Sequence, residues 1–538
     1  MDEPNATPRP GLLHRKASRR ALLGGVAAVA AGGTAVAVVG LASQTNADSD
    51  GNKTVLPGLS ADATKTAAEE LARPIEDPRM RAAHLLRRAA WGGSKAQIDE
   101  FAALSREDAA DRLLGFESVD NGALNARIEA AQFNLTTPGR GLDGKRPPQI
   151  RDIQRWWLTR MSYTARPLEE RMTYIWHGLL TSQLSQIGPQ RAKWMVTQND
   201  LYRAHALGRY DDLLQAVSKD PAMMTYLNTV ESSKDHPNEN YPRELMELFS
   251  MGEGNYTEDD VRQSARAFTG WRLTPPNREQ PPAGLSEKER DEWLNQMFAA
   301  YEPAWRFAPG QHDNGSKTFL GKTGNFDGTD IVGIIMEQPA TARFITRRLF
   351  SQFAYRNPDD ATVARLVDVW NASGHDTRAV VRAILVSDEF YSMRAYRSLV
   401  RSPIEFMVGA VRGLELEADF LQLEQTAAAM DQRLFEPPNV AGWPGGEVWL
   451  SSGTFFGRVN FTDAFLRKGN RPGPVPALAG YANAGDMVNG ALDRLVDGNV
   501  SEDSRQAITD YAASISNPQD RAAAVAYLVL CSPEYQLI

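Results

Sequence analysis

Apolar residues recur at helical spacing along most of this chain, and sustained period-two alternation is scarce. Pro167 opens one such stretch, with Leu168, Met172, Ile175 and Leu179 on a single stripe. Ser94-Lys95-Ala96-Gln97 is a capping box that predicts a helix through Leu104. Thr257 followed by Glu258, Asp259 and Asp260 starts another, with acidic groups at the positive end of the helix dipole. Residues 360–370, 377–386 and 521–531 continue the pattern. The fold class expected is mainly α: one large irregular helical domain over residues 76–538 with long Gly/Pro-rich loops. Residues 274–295, rich in Pro, Glu, Lys and Arg, and 469–485, rich in Pro, Gly and Ala, read as surface insertions.

The N-terminus reads as an export signal. Arg15-Lys16-Ala17-Ser18-Arg19-Arg20 is a basic segment, and an uncharged Ala/Val/Gly-rich run follows from Ala21 to Ala42. Paired arginines just before the apolar run are the mark of a twin-arginine signal. Thr45-Asn46-Ala47 offers a small-x-small cleavage site. Residues 1–47 are therefore expected to be a signal peptide and 48–75 a flexible leader. The location expected is extracellular or in the cell envelope, the periplasm if the source has an outer membrane. Membrane contact is expected only during export or through an uncleaved signal, because about 20 apolar residues can span a bilayer.

Charge and cysteine content narrow the chemistry. The net charge is −8, and residues 1–47 contribute +3, so the remainder carries −11. An acidic body lacks the basic footprint that nucleic-acid binding needs. Cys531 is the only cysteine, which rules out an internal disulfide and a thiolate metal cluster. There is no Cys-x-x-Cys-His for covalent haem and no dinucleotide glycine fingerprint after a strand.

The densest polar stretch is His236-Pro237-Asn238-Glu239-Asn240-Tyr241-Pro242-Arg243-Glu244-Leu245-Met246-Glu247. With Asn240 as cap and Pro242 early in the helix, Glu244 and Glu247 share one face, and Glu239 precedes them. Carboxylates this close repel unless a cation or a proton intervenes, the physical case for a metal site or an acid/base pair. Arg243, Arg262 or Arg266 neutralising them in a structural cluster is the competing account. On the Pro167 helix, Glu170, Tyr174 and His177 form one polar line that can orient the imidazole, although a histidine beside Trp176 is also an ordinary core residue. His312 opens a loop with Asp313 and Lys317, and Asp327 and Asp330 follow, with Asp330 readable as a cation ligand or as the cap of a helix from Ile331. His84 lies on a helix and is a weaker candidate. Pro437-Pro438-Asn439-Val440-Ala441-Gly442-Trp443-Pro444-Gly445-Gly446 is a rigid loop, followed by Trp449; it can stack on a ligand or pack on the helical body.

Taken in order, these segments resemble a bacterial family known only as domain-of-unknown-function family 1800. The resemblance covers roughly residues 80–537, from His84-Leu85-Leu86-Arg87-Arg88-Ala89 and Trp176-His177 through the Asn238–Glu247 stretch and the Pro437–Gly446 loop to Ser532-Pro533-Glu534-Tyr535-Gln536. It implies an exported, mainly helical protein, often encoded beside a sulfatase-like partner, and brings no established reaction. Many members read Trp-His-x-His, and the second histidine falls here on Leu179. Two expectations follow. One is a metal-dependent hydrolase of an envelope or extracellular substrate. Its divalent cation would sit on Glu239, Glu244, His177 and His312, with Glu244, Glu247 and His177 catalytic. The other is a non-catalytic envelope component, or a binding partner of another exported protein such as the sulfatase-like one.

Overall fold

The computed structural model describes residues 69–135, 148–276, 280–418, 427–468 and 471–538. Helix accounts for 61% of the described residues and strand for 5%, so the mainly α expectation holds. The strands form three two-stranded antiparallel pairs: Trp271–Leu273 with Trp305–Phe307, Lys317–Phe319 with Lys322–Gly324, and Arg467–Lys468 with Arg471–Pro472. The signal segment 1–47 lies outside the described residues. Among the described residues, no helix is long and apolar enough to cross a membrane.

Local sequence chemistry sets most helix ends. Ser94 and Gln97 close a reciprocal capping box at the start of Lys95–Ala102, and Thr257 and Asp260 do the same for Glu258–Ala267. The helix expected from Ile331 begins one turn earlier. It spans Gly328–Met336 with Asp327 as cap and Asp330 as the return arm of the box. Both carboxylates are thereby occupied with backbone N–H groups, which leaves Asp330 a capping partner rather than a cation ligand. Asn240 is likewise inside its helix, Asn240–Glu247, and the turn before it is made by Asn238, whose side chain accepts from the Asn240 N–H at 2.9 Å.

One contiguous apolar core runs from Ala82 to Tyr535. At its centre the helix Pro167–Leu179 packs on Ala192–Ala204, Pro78–Ala90 and Pro148–Tyr163. Leu168, Met172 and Trp176 are fully buried, but the stripe does not continue to Leu179, which is only partly covered. Of the leader 48–75, the described end is docked: Ile75 is buried and its N–H donates to Tyr391 O at 2.8 Å. The segment 469–485 is also less superficial than its composition suggests. Val475, Ala477 and Leu478 are buried, because the apolar side chains between the prolines turn into the core. The described part of 274–295 is mostly exposed.

Candidate functional site

The expected polar line on the Pro167 helix divides among three partners. Glu170 is completely buried and accepts from Arg160 Nε at 2.7 Å, Arg203 Nε at 2.8 Å and Trp157 Nε1 at 3.0 Å. Burial pushes its carboxyl up, but the two guanidiniums outweigh it and hold the group down at about 2. Tyr174 donates to Ser402 Oγ at 3.0 Å and accepts from Gln432 Nε2 at 2.6 Å. Among the described residues, His177 hydrogen-bonds to neither Glu170 nor Tyr174.

His177 is buried among Trp157, Phe435 and Trp443, with ring centroids 5.0, 5.2 and 5.6 Å away. Its Nε2 accepts the backbone N–H of Phe435 at 3.3 Å. Accepting at Nε2 places the proton of the neutral ring on Nδ1. Desolvation pulls the imidazole down to about 3, so it is uncharged at neutral pH. Phe435 has a left-handed backbone, φ 64°, which costs a bulky residue about 1–3 kcal/mol and persists only where the surroundings enforce it. Here they do. Besides His177, Leu184 N–H donates to Phe435 O at 3.0 Å and Gln154 Nε2 donates to Leu434 O at 2.9 Å. Further along, Thr181 Oγ1 donates to Val440 O at 2.5 Å. At Gly442 a Cβ would lie 2.5 Å from Gly178 O, so only glycine lets the loop reach the end of the helix.

The loop held in this way forms the wall of an open cleft of about 630 Å³. Trp443, Trp449, Pro437 and Val448 line it, with Asp431, Arg433 and Glu436 among its charged groups. Glu436 accepts from Ser185 Oγ at 2.8 Å. Among the described residues, the side chains of Asp431 and Arg433 make no hydrogen bond or ion pair, which leaves a charge of each sign available to a ligand. Sequence reasoning found the loop and both tryptophans but not Asp431 and Arg433, which carry no local signal.

The carboxylates lie elsewhere. Arg243 Nη2 donates to Glu239 at 3.1 Å, and Arg243 also grips Glu258 at 2.8 and 2.9 Å. Glu247 accepts from Tyr256 Oη at 2.9 Å. Glu244 is half-buried and has no side-chain hydrogen bond among the described residues. Burial first, and then the charge of Glu247, raise its carboxyl above the usual range. Arg262 and Arg266 pair with Asp259 and Asp313 instead.

His312 is buried, with Nδ1 2.8 Å from Thr269 O. Lys317 spends its ammonium on the carbonyls of Asp313 and Gly315, at 2.6 and 3.1 Å, so it fixes its own loop. His84 Nε2 donates to Phe390 O at 3.0 Å. The structure therefore keeps Glu244 and Glu247 together and finds separate hydrogen-bond partners for Glu239, His177 and His312. Among the described residues, no group of three or more His, Cys, Asp or Glu side chains is placed to hold a metal ion. The donor set Glu239, Glu244, His177 and His312 does not fit a divalent cation as it stands.

The Trp176-His177-Gly178 helix end and the Pro437–Gly446 loop are in contact. A family model matches residues 84–537, from the first helix to the last turn. The chain belongs to DUF1800. That family is described only as proteins of unknown function, so membership of DUF1800 brings no reaction with it. No curated protein and no solved structure matches this DUF1800 chain.

Proposed function

We propose that this protein is an exported binding component whose aromatic cleft docks a segment of another exported protein, such as the sulfatase-like neighbour. One observation carries the reading. Among the described residues, the exposed large hydrophobics are Phe307, Val448 and Phe456, and two of these three belong to the cleft segment or the helix just after it. Val448 is 52% and Phe456 67% exposed. Exposed apolar side chains gathered beside a groove are a feature of protein contacts, and tryptophan anchors dominate their energetics. Asp431 and Arg433 would fix orientation at the rim. Trp443→Ala, Val448→Asp and Phe456→Asp are each expected to weaken partner capture at least about tenfold, roughly 1.4 kcal/mol, with the melting temperature little changed for the two exposed positions and lowered for Trp443→Ala, which uncovers the His177 ring. Capture from co-expressing cells and quantitative binding measure this. Affinity that is indifferent to all three substitutions would remove the cleft from the interaction.

A second reading, a hydrolase of an envelope polymer, is favoured by Glu244. A half-buried, unpaired carboxyl raised by a neighbouring carboxylate can act as a general acid. Because the described donors do not fit a metal, this reading rests on Glu244 and Glu247 as an acid/base pair. Glu244→Gln is then expected to lower polymer turnover by about 100-fold or more. The folded-state value of Glu244 is raised, so its ionisation disfavours the fold as pH rises through the usual carboxylate range. The same variant should therefore be no less stable than the parent at neutral pH. Turnover unchanged in Glu244→Gln ends this reading.

A further inference from the structure

A small, partly open cavity lies between the turn after Pro78–Ala90, the helix Pro403–Leu414 and the helix Ala484–Val496. Its volume is about 10 Å³, close to the roughly 10–15 Å³ that one water-sized species needs. Arg87, Arg401, Arg494, Trp91, Gly409 and Tyr535 line it. Their charges do not balance. Arg87 is paired with Asp497, and Arg494 reaches Glu415 at 3.4 Å. Arg401 is only 2% exposed, stacks over the Tyr535 ring at 4.2 Å, and makes no side-chain hydrogen bond or ion pair among the described residues.

Among the described residues, the side chains that line the cavity and pack behind it offer no spare carboxylate. Arg458 donates to Arg401 O at 2.7 Å and to Gln536 Oε1 at 3.1 Å, both neutral acceptors. Arg88 is likewise spent on Ala395 O and on Ser398 Oγ at 3.1 Å. The carboxylate of Glu405 is taken by Arg171 at 2.5 Å. Tyr535 cannot supply a negative charge, since burial pushes its phenol up to about 12. Five buried guanidiniums (Arg87, Arg88, Arg171, Arg401 and Arg458) thus face the carboxylates of Asp497 and Glu405. A guanidinium does not readily give up its proton, and a buried charge is ordinarily paired. The Nε atoms of Arg401 and Arg494 and the Trp91 indole Nε1 are all buried and without an acceptor.

We infer that this cavity is a binding site for one small monovalent anion of chloride size, held by Arg401 with Arg494 and Arg87 at its wall. Gly409 makes the room: a Cβ there would sit 2.9 Å from Arg401 Nη1 and 3.0 Å from the Tyr535 hydroxyl. The anion supplies the missing counter-charge at the junction of the N-terminal turn with the helices Pro403–Leu414 and Ala484–Val496.

The test is thermal unfolding of the full chain in sodium chloride, sodium bromide and sodium gluconate at equal ionic strength. Diffraction at the bromine edge from bromide-soaked crystals accompanies it. Chloride and bromide are expected to raise the midpoint saturably by on the order of a few °C over gluconate, as a single-site ligand does. One anomalous bromide peak should lie beside Arg401. Gly409→Ala should remove the halide response and the peak, and Arg401→Met serves as the second variant if Gly409→Ala does not fold. Equal midpoints in all three salts together with no bromide at Arg401 would overturn the assignment, the cavity then holding water. A rise common to every anion, or a halide response retained in both variants, would do the same.

Discussion

Glu170→Gln is expected to cost about 3–5 kcal/mol of folding stability, because it leaves the largely covered guanidiniums of Arg160 and Arg203 without the counter-charge they share at a completely buried carboxylate. Arg160, with the Trp156 ring at 5.6 Å and only the more distant charges of Glu169 and Asp200, is the less well placed to recover, whereas Arg203 keeps Asp200 and Asn199. The Trp157 indole also loses half of a charge-assisted bond. The pH dependence follows from the depressed carboxyl. Its contribution is present in full above the ordinary value of 4.5 and is lost as pH falls toward about 2. Urea unfolding from pH 7 down to pH 3 should show the parent losing stability through that window and Glu170→Gln losing less. A cost under about 1 kcal/mol, with parallel acid limbs, would show that the pair is screened like a surface one.

The second large effect is expected at His177, where two substitutions separate volume from hydrogen bonding. His177→Ala opens a cavity among Trp157, Phe435 and Trp443 and orphans the Phe435 N–H, for about 3–5 kcal/mol in total. His177→Phe keeps most of the volume and loses only the acceptor, for about 1–3 kcal/mol. The acid response has the opposite origin from that of Glu170. The imidazole is held neutral, so its contribution is whole above the ordinary 6.5 and falls as pH drops toward about 3. Within that window the slope attributable to this group is at most about 1.4 kcal/mol per pH unit, and His177→Phe should lack it. If cleft binding tracks the hydrogen bond, both variants lose partner affinity. If His177→Phe binds as the parent does, the imidazole supports the core and does not tune the cleft.

Local chemistry was legible in the sequence, and long-range contact was not. Ser94 with Gln97, and Thr257 with Asp260, mark helix starts because cap and partner are three residues apart. Asp330 misled by one turn because Asp327 and Asp330 are equally good caps, and only the backbone geometry decides which bonds which. Glu244 and Glu247 were legible as a pair for the same local reason. His177 was legible as unusual, but its partner is the N–H of Phe435, 258 positions away, and the strain at Phe435 leaves no trace in residue type. A histidine read in one dimension invites its helical neighbours as partners. In three dimensions Glu170 had already been claimed by arginines. The arginine surplus around Arg401 was invisible because its members come from segments spread between Arg87 and Arg458.

The contact between Gly178 and Gly442 bears on how such chains can diverge. The carbonyl of Gly178 stands where a side chain at position 442 would begin, so the helix end and the loop are two halves of one joint. A side chain at position 442 is tolerated only if the end of the helix moves away. Chimeras that take residues 167–188 from one homologue and 427–450 from a distant one should misassemble, while chimeras that move both together should not. The helix end and the Pro437–Gly446 loop are then expected to be inherited as a unit for reasons of fit, whether or not any reaction takes place between them.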